Sequence, residues 1–366
     1  MEIVTFFNHK GGVAKTTNCY NLAWKLAEKG KKVVLVDADS QCNLTGLAMG
    51  LLSPDDKFTD DSGEEISGAE AERINKRVDE AEQRSADFWE RIGEQNLHDA
   101  LAPAFNSEPR PLEAVELFDV PGVEGLYLLP GSIELAKYES DLALAQAVRG
   151  SLGSQKNIPG AINRVLRLTA EKAEADYMLV DLSPSLGAIN QNFVSISDKI
   201  IIPCAPDYFS LMALNSLTKV FIDWKKDAIA ISGTKEIQNA TYPFPEPKFK
   251  VLGTVISRFG IYKGKPASAY ARWIDRVENV CKNELHPALK KEGLVAKLVE
   301  DNSDKFILAK VRDFNSLRPK SQELQKPAYA LTDEEIGLNG RALDNTKVVR
   351  DEIDEAFGSL ADEVIL

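Results

Sequence analysis

Apolar positions along this chain fall into two alternating patterns. Strand-length, mostly apolar runs occupy Ile3–Phe7, Lys32–Val36, Leu126–Leu129, Tyr177–Val180, Ile200–Ile202 and Phe249–Ser257. Runs of this length without strict alternation describe strands buried on both faces, as in a parallel sheet. Between them apolar residues recur three and four apart. Cys19, Leu22, Ala23, Leu26 and Ala27 do so between Asn18 and Lys29, with Gly30 as a stop. Further helical stretches run from Ala161 to Ala173, from Ser210 to about Lys225, and from near Ala267, where Tyr270, Trp273, Ile274, Val277 and Val280 form the stripe. The chain end, Asn345–Leu366, puts Val349, Ile353, Ala356, Phe357, Leu360 and Val364 on one helical face and predicts a helix packed on the core. Strands alternating with helices predict an α/β fold with a doubly wound, mostly parallel sheet.

One segment breaks the alternation. From Ser53 to about Gly93 the residues turn acidic and polar, and a helical pattern (Ile74, Val78, Ala81, Phe88, Trp89) emerges late. Residues 54–95 are therefore expected to form an acidic helical insertion after the second strand, either a partner-docking arm or a solvated flap. They carry 14 acidic and 6 basic side chains, a net of −8 out of the chain's −12. The rest of the chain is close to neutral, and it contains two basic stretches. Arg258–Arg276 holds five basic residues against one acid, and Lys305–Lys326 six against two. Lys263, Lys265, Arg272, Arg276, Lys305, Lys310, Arg312, Arg318 and Lys320 are thus candidate contacts to a nucleic-acid backbone, which asks for positive charge and little sequence information. Ordinary solvated faces are the alternative. Hydrophobic residues, 44% of the chain, can fill a sizeable core. Cysteines 19, 42, 204 and 281 form no C-x-x-C pair and no zinc spacing, which fits packing residues in a reducing cytosol. The chain enters a strand at once, without a secretory preamble, and lacks an 18-residue apolar run, so neither a signal segment nor a membrane span is expected.

Candidate chemistry sits where strands end. His9-Lys10-Gly11-Gly12-Val13-Ala14-Lys15-Thr16-Thr17 follows the first strand and opens the first helix. Such a turn aims backbone N–H groups and the positive end of the helix dipole at one spot, which suits an anion. Lys15 would reach outer phosphates, and the Thr16 hydroxyl is placed to ligate magnesium. The ordinary pattern G-x-x-x-x-G-K-[ST] is not met, because His9 and Ala14 stand at its glycine positions. What is present is K-G-G-x-x-K-[ST], with Lys10 as an additional lysine and Ala14 where the backbone often suits glycine. The second strand delivers Asp37-Ala38-Asp39-Ser40-Gln41 to the carboxyl edge of the sheet, where open α/β folds bind ligands. Taken alone, that segment could also be an N-cap cluster for the next helix. Tyr177–Val180 delivers Asp181, an acid at a strand tip of the kind that holds a magnesium shell beside a nucleotide.

With these three motifs together the chain resembles the ParA/MinD family of P-loop ATPases. The resemblance covers most of the length outside residues 54–95 and implies a single ParA-like ATPase domain over 1–366, with ATP and magnesium as cofactors. It implies that Lys10, Gly11, Gly12, Val13, Ala14, Lys15, Thr16 and Thr17 bind the nucleotide. Lys10 would cross a homodimer interface to the partner's phosphates, and Lys15 would neutralise charge. Asp39 would handle the attacking water, and Thr16, Asp39 and Asp181 would serve the metal. The strand and loop Asp198–Asp207, stiffened by Pro203 and Pro206, would lie near the adenine. Ser257 stands where relatives often present asparagine to that base. As output, the resemblance implies nonspecific DNA binding by the ATP dimer, a ParB-like activator, and a nucleoid-associated, cytoplasmic protein that positions a plasmid, chromosome or other cargo. An alternative output is a protein partner docked through the acidic insertion. The terminal helix has an acidic outer face (Asp351, Glu355, Asp362), unlike the basic amphipathic tail of MinD-type relatives, which argues against a membrane partner. Nothing of helix-turn-helix type precedes the phosphate cradle, so operator binding is not expected. Iron–sulfur relatives need paired cluster cysteines, which this chain lacks.

Overall fold

The computed structural model describes residues 1–51, 69–262 and 265–366. Its centre is an eight-stranded sheet in the order β10-β7-β6-β1-β5-β2-β4-β3. The strands are β1 (Glu2–Phe6), β2 (Val33–Ala38), β3 (Phe118–Asp119), β4 (Leu126–Leu129), β5 (Tyr177–Leu182), β6 (Lys199–Cys204), β7 (Lys250–Phe259) and β10 (Ile307–Arg312). β8 (Ile261–Tyr262) and β9 (Lys265–Pro266) make a separate small hairpin. Neighbours pair in parallel throughout the large sheet except at one edge, where β3 runs against β4. This is the doubly wound α/β architecture expected from the apolar runs. Every residue of β2 and β5 is buried, because helices cover both faces of the sheet.

The first eight longer helices are α1 (Lys15–Glu28), α2 (Asn43–Met49), α3 (Ala69–Ile92), α4 (Leu97–Phe105), α5 (Tyr138–Val148), α6 (Ile158–Ala173), α7 (Ala188–Ile196) and α8 (Tyr208–Ser232). Later come the helix Ser268–Val280 and the C-terminal helix Gly340–Ile365. Apolar periodicity located their middles and understated their ends. α1 begins at Lys15 because its first turn is polar and serves the cradle, and α8 continues to Ser232 because Ala228 and Ile231 prolong its buried stripe. The C-terminal helix buries Ile353, Phe357, Leu360, Ala361 and Val364. Part of its acidic face is used internally, since Asp354 pairs with Lys25 of α1 at 2.5 Å and Asp362 with Lys29 just after it at 2.7 Å.

Residues 52–68, which include the first part of the insertion, lie outside the described residues. Its helix α3 is anchored at the far end, where Ala81, Phe88 and Ile92 are buried. The Phe88 ring lies 5.5 Å from Phe118 in β3, and the Arg91 guanidinium stands 5.6 Å from both rings. α3 thus packs against the Phe118 side chain of the edge strand, while Asp79, Glu80, Glu82, Asp87 and Glu90 face solvent. All four cysteines are free and buried. Among the described residues no helix is long and apolar enough to cross a membrane.

Candidate active site

The sheet order explains why three sequence-distant motifs meet. β5 inserts between β1 and β2, and all three are parallel, so their carboxyl ends emerge side by side on one edge. Register makes this sharper: Asp181 pairs with Phe6 on one side and with Asp37 on the other. Register partners in a parallel sheet point to the same face, one strand spacing apart. Two carboxyls are therefore held together in the interior beneath the cradle.

The cradle is built on Asn8, which is fully buried and donates from Nδ2 to the Pro203 carbonyl at 2.8 Å while its Oδ1 accepts the Lys10 N–H at 3.0 Å. β6 thereby holds the start of the turn. Gly12 and Ala14 are both left-handed, at φ 71° and 65°, so the turn does demand a glycine-like backbone at Ala14 and stores strain there. α1 then starts at Lys15, whose side chain turns back so that Nζ donates to the Lys10 carbonyl at 3.3 Å. Burial lowers the Lys15 pKa, and the nearby Asp181 and Asp39 carboxylates oppose that shift.

Thr16 Oγ1 donates to Asp181 Oδ2 at 2.6 Å, whereas Asp181 Oδ1 is buried without a partner. Burial and then Asp37 push the Asp181 carboxyl up to about 8, with Thr16 and Lys15 pulling the other way. Asp37 is pushed up to about 6, chiefly by burial. Asp37 is the structural member of the pair. It accepts from the Thr45 N–H and hydroxyl, both at 2.7 Å, and so ties the start of α2 to the sheet. Asp39, nearly buried, accepts the Gln41 N–H at 3.0 Å in the loop between them. Asp37 therefore accounts for the helix-capping behaviour that the acidic segment suggested, and Asp39 remains in the loop.

The residues present fit a magnesium ion. The donors are oxygens, and one of them, Asp181 Oδ1, is buried and unsatisfied beside the Thr16 hydroxyl. Among the described residues no three His, Cys, Asp or Glu side chains converge on a point. That suits an ion held by one or two protein oxygens, with phosphate and water completing its shell.

Lys10 is engaged within its own chain. Its Nζ lies 2.5 Å from Asp207 Oδ2 and 3.1 Å from Ser210 Oγ, at the N-terminus of α8. Asp207 also caps that helix, accepting the Ser210 N–H at 2.8 Å. Burial raises the Asp207 pKa, but the hydrogen bonds from Lys10 and Ser210 and the Lys10 charge together hold the carboxyl below its usual range.

Beside the cradle lies a cavity of about 220 Å³ lined by Thr17, Asn18, Ser257, Arg258, Asp313 and Arg318, among others. Ser257 Oγ is buried there and accepts from Asn18 Nδ2 at 2.9 Å. Pro206 is buried in the loop between β6 and α8 and does not line this cavity.

The basic stretches divide into used and unused charge. Lys310 pairs with Glu278, Arg312 with Glu352, Arg318 with Asp313 at 3.5 Å and Lys320 with Glu323 at 3.2 Å. Arg312 is also largely covered, with a side chain 11% exposed. Lys265, Arg272, Arg276 and Lys305 are exposed, and Arg276 stacks over Trp273 at 5.0 Å. Lys263 lies outside the described residues. Sequence reasoning passed over Asn8, counted Arg258 only as one charge of a basic stretch, and passed over Glu139, whose carboxylate accepts the first N–H groups of α7 just after the Asp181 loop. The first two abut recognised motifs, while nothing in the sequence signals Glu139.

Residues 1–231, well over half the chain, match the AAA_31 family, described as an AAA domain. The Bacillus subtilis sporulation initiation inhibitor protein Soj is 28% identical over 216 residues, 59% of this chain and 63% of Soj. The chain belongs to the ParA/Soj-type ATPase family. Within that family, chromosome partitioning protein ParA of Myxococcus xanthus is 28% identical over 217 residues, 59% of this chain and 56% of that protein. The chain therefore spans less than two thirds of these two relatives. An uncharacterised protein of Methanocaldococcus jannaschii matches further, 28% over 301 residues, covering 82% of this chain and 86% of its own. Among solved structures, a protein from Corynebacterium diphtheriae superposes with a TM-score of 0.59 at 20% identity over 100% of this chain and 98% of that one. A Borrelia burgdorferi plasmid partition protein bound to AMPPNP does so with 0.52 at 16% over 100% and 98%. At these identities the two structures establish the fold alone, the doubly wound, mostly parallel sheet.

Proposed function

We propose that this chain is an ATP-dependent dimerisation switch with slow, partner-stimulated hydrolysis, which binds DNA nonspecifically as the ATP dimer and positions a plasmid, chromosome or other cargo. The observation that carries the reading is the cradle itself: two lysines, Lys10 and Lys15, on one glycine turn, above a buried Asp181 oxygen without a partner. A hydrolase that works alone needs only Lys15. The second lysine is paired with Asp207, an acid that is itself 41% exposed, and in this reading it leaves that acid to reach a second protomer. The names of the Soj and ParA relatives support the same direction.

In this reading the turn from Lys10 to Thr17 receives the phosphates through backbone N–H groups, with Lys15 neutralising the outer charge. Thr16 and Asp181 would hold magnesium, which supplies charge neutralisation at the transferring phosphoryl group. Asp39 orients the attacking water, and Lys10 leaves Asp207 to complete the partner's site. The protein's contribution is positioning and charge, with little covalent work. Arg272 and Arg276, exposed and one turn apart, are the foremost DNA contacts, joined by Lys265 and Lys305.

Two measurements test this. Mobility shift of a random duplex is expected with ATP and absent with ADP or with Lys10→Ala. A chain that dimerises with ATP yet gives no salt-sensitive shift would move the output to a protein partner and point to the exposed acids of α3. Sizing chromatography of Asp39→Ala with ATP is expected to show a trapped dimer, and an ATP-bound monomer would overturn the role given to Asp39.

A further inference from the structure

Arg258, next to the end of β7, enters the sequence argument only as one charge in a basic stretch. Its backbone is left-handed, at φ 66°, although it carries a β-carbon. Such a conformation persists where surrounding contacts over-determine it. The contact is explicit: Arg258 Nη1 donates to the carbonyl oxygen of Gly12 at 2.7 Å. Gly12 is itself at φ 71°, inside the phosphate turn. A trans peptide is planar, with its C=O and N–H pointing in opposite directions. Holding the Gly12 oxygen toward Arg258 therefore fixes the Val13 N–H in the reverse sense, away from Arg258. The same guanidinium also lines the cavity beside the cradle, together with Asn18, Ser257 and Arg318.

We propose that Arg258 is a positioning residue of the nucleotide site. It locks the Gly12–Val13 peptide in the orientation in which the turn receives phosphate, and so slows nucleotide release. The inference rests on the nucleotide-switch reading above and extends it from the cradle to a residue more than two hundred positions away. Arg258 needs no contact with the phosphates for this, because it acts through the backbone.

The test uses the full chain, a fluorescent ATP analogue with magnesium, and release followed by stopped flow after a chase of excess ATP. Arg258→Ala is expected to speed release about tenfold, the scale of one charge-assisted hydrogen bond. Arg258→Lys is expected to restore most of the loss, since an ammonium can donate to the same carbonyl. The unfolding midpoint without nucleotide should fall in Arg258→Ala, through loss of the same hydrogen bond, and recover in Arg258→Lys. Release from Arg258→Ala within twofold of wild type overturns the inference. So does an Arg258→Lys chain that releases nucleotide as fast as Arg258→Ala. A wild-type chain that fails to bind the analogue overturns the nucleotide reading itself, and this inference with it.

Discussion

The tips of β1, β2 and β5 and the basic stretches of residues 258–326 both looked charge-rich in sequence, yet they treat charge in opposite ways. At the strand tips the ionisable groups are buried: Lys15 is 7% exposed, and Asp37 and Asp181 are fully covered; Thr45 satisfies Asp37, but one oxygen of Asp181 is satisfied by nothing in the chain. Along the basic stretches charge lies mostly at the surface, and much of it is paired within the chain. A buried charge without a partner is costly and points to a ligand that completes it. A surface charge is cheap, so counting such charges along a sequence overstates a binding face.

The contrast can be broken at several points. Lys15→Ala should abolish nucleotide binding, a loss of at least about a hundredfold in a fluorescent-analogue titration, because the buried point charge at the cradle has no substitute. Retained affinity would mean that the unsatisfied interior charge is not a nucleotide site. The surface side is sharpened by two variants. Arg272→Ala with Arg276→Ala should weaken DNA binding and reduce the slope of log affinity against log salt by about two. Arg312→Ala should leave that slope alone and instead cost about 1 kcal/mol in denaturant unfolding, since it breaks the pair with Glu352. If Arg312 moved the salt slope and the pair did not, paired and unpaired charges would have been assigned the wrong way round. The smallest effect is at the turn itself. Ala14→Gly should stabilise the chain by about 0.5–1 kcal/mol by relieving the left-handed backbone at φ 65°.

Much of this was legible from residues in order. Unbroken apolar runs identified the inner strands because a strand covered on both faces has no polar positions to alternate. The K-G-G-x-x-K-[ST] turn and the acids at two strand tips were legible because backbone chemistry at a strand–helix junction constrains residue type closely. Helix ends were less so, since polar first turns such as the start of α1 carry no apolar signal. The packing of α3 on the sheet edge through Phe88 and Phe118 could not be seen either, since it joins residues thirty apart across a change of secondary structure.

The sequence alone determined the alternating α/β architecture, the glycine turn between β1 and α1 and which acids stand at strand ends, because each depends on neighbours within a few residues. The tertiary structure decided what those residues face. Inserting β5 between β1 and β2 put Asp181 beside Asp37 and under Thr16. Placing β6 and then β7 on the other side of β1 gave Lys10 its acid at Asp207 and Gly12 its arginine at Arg258. These contacts span about 140 to 250 residues. They follow from strand order, which the local pattern of apolar and polar positions does not encode.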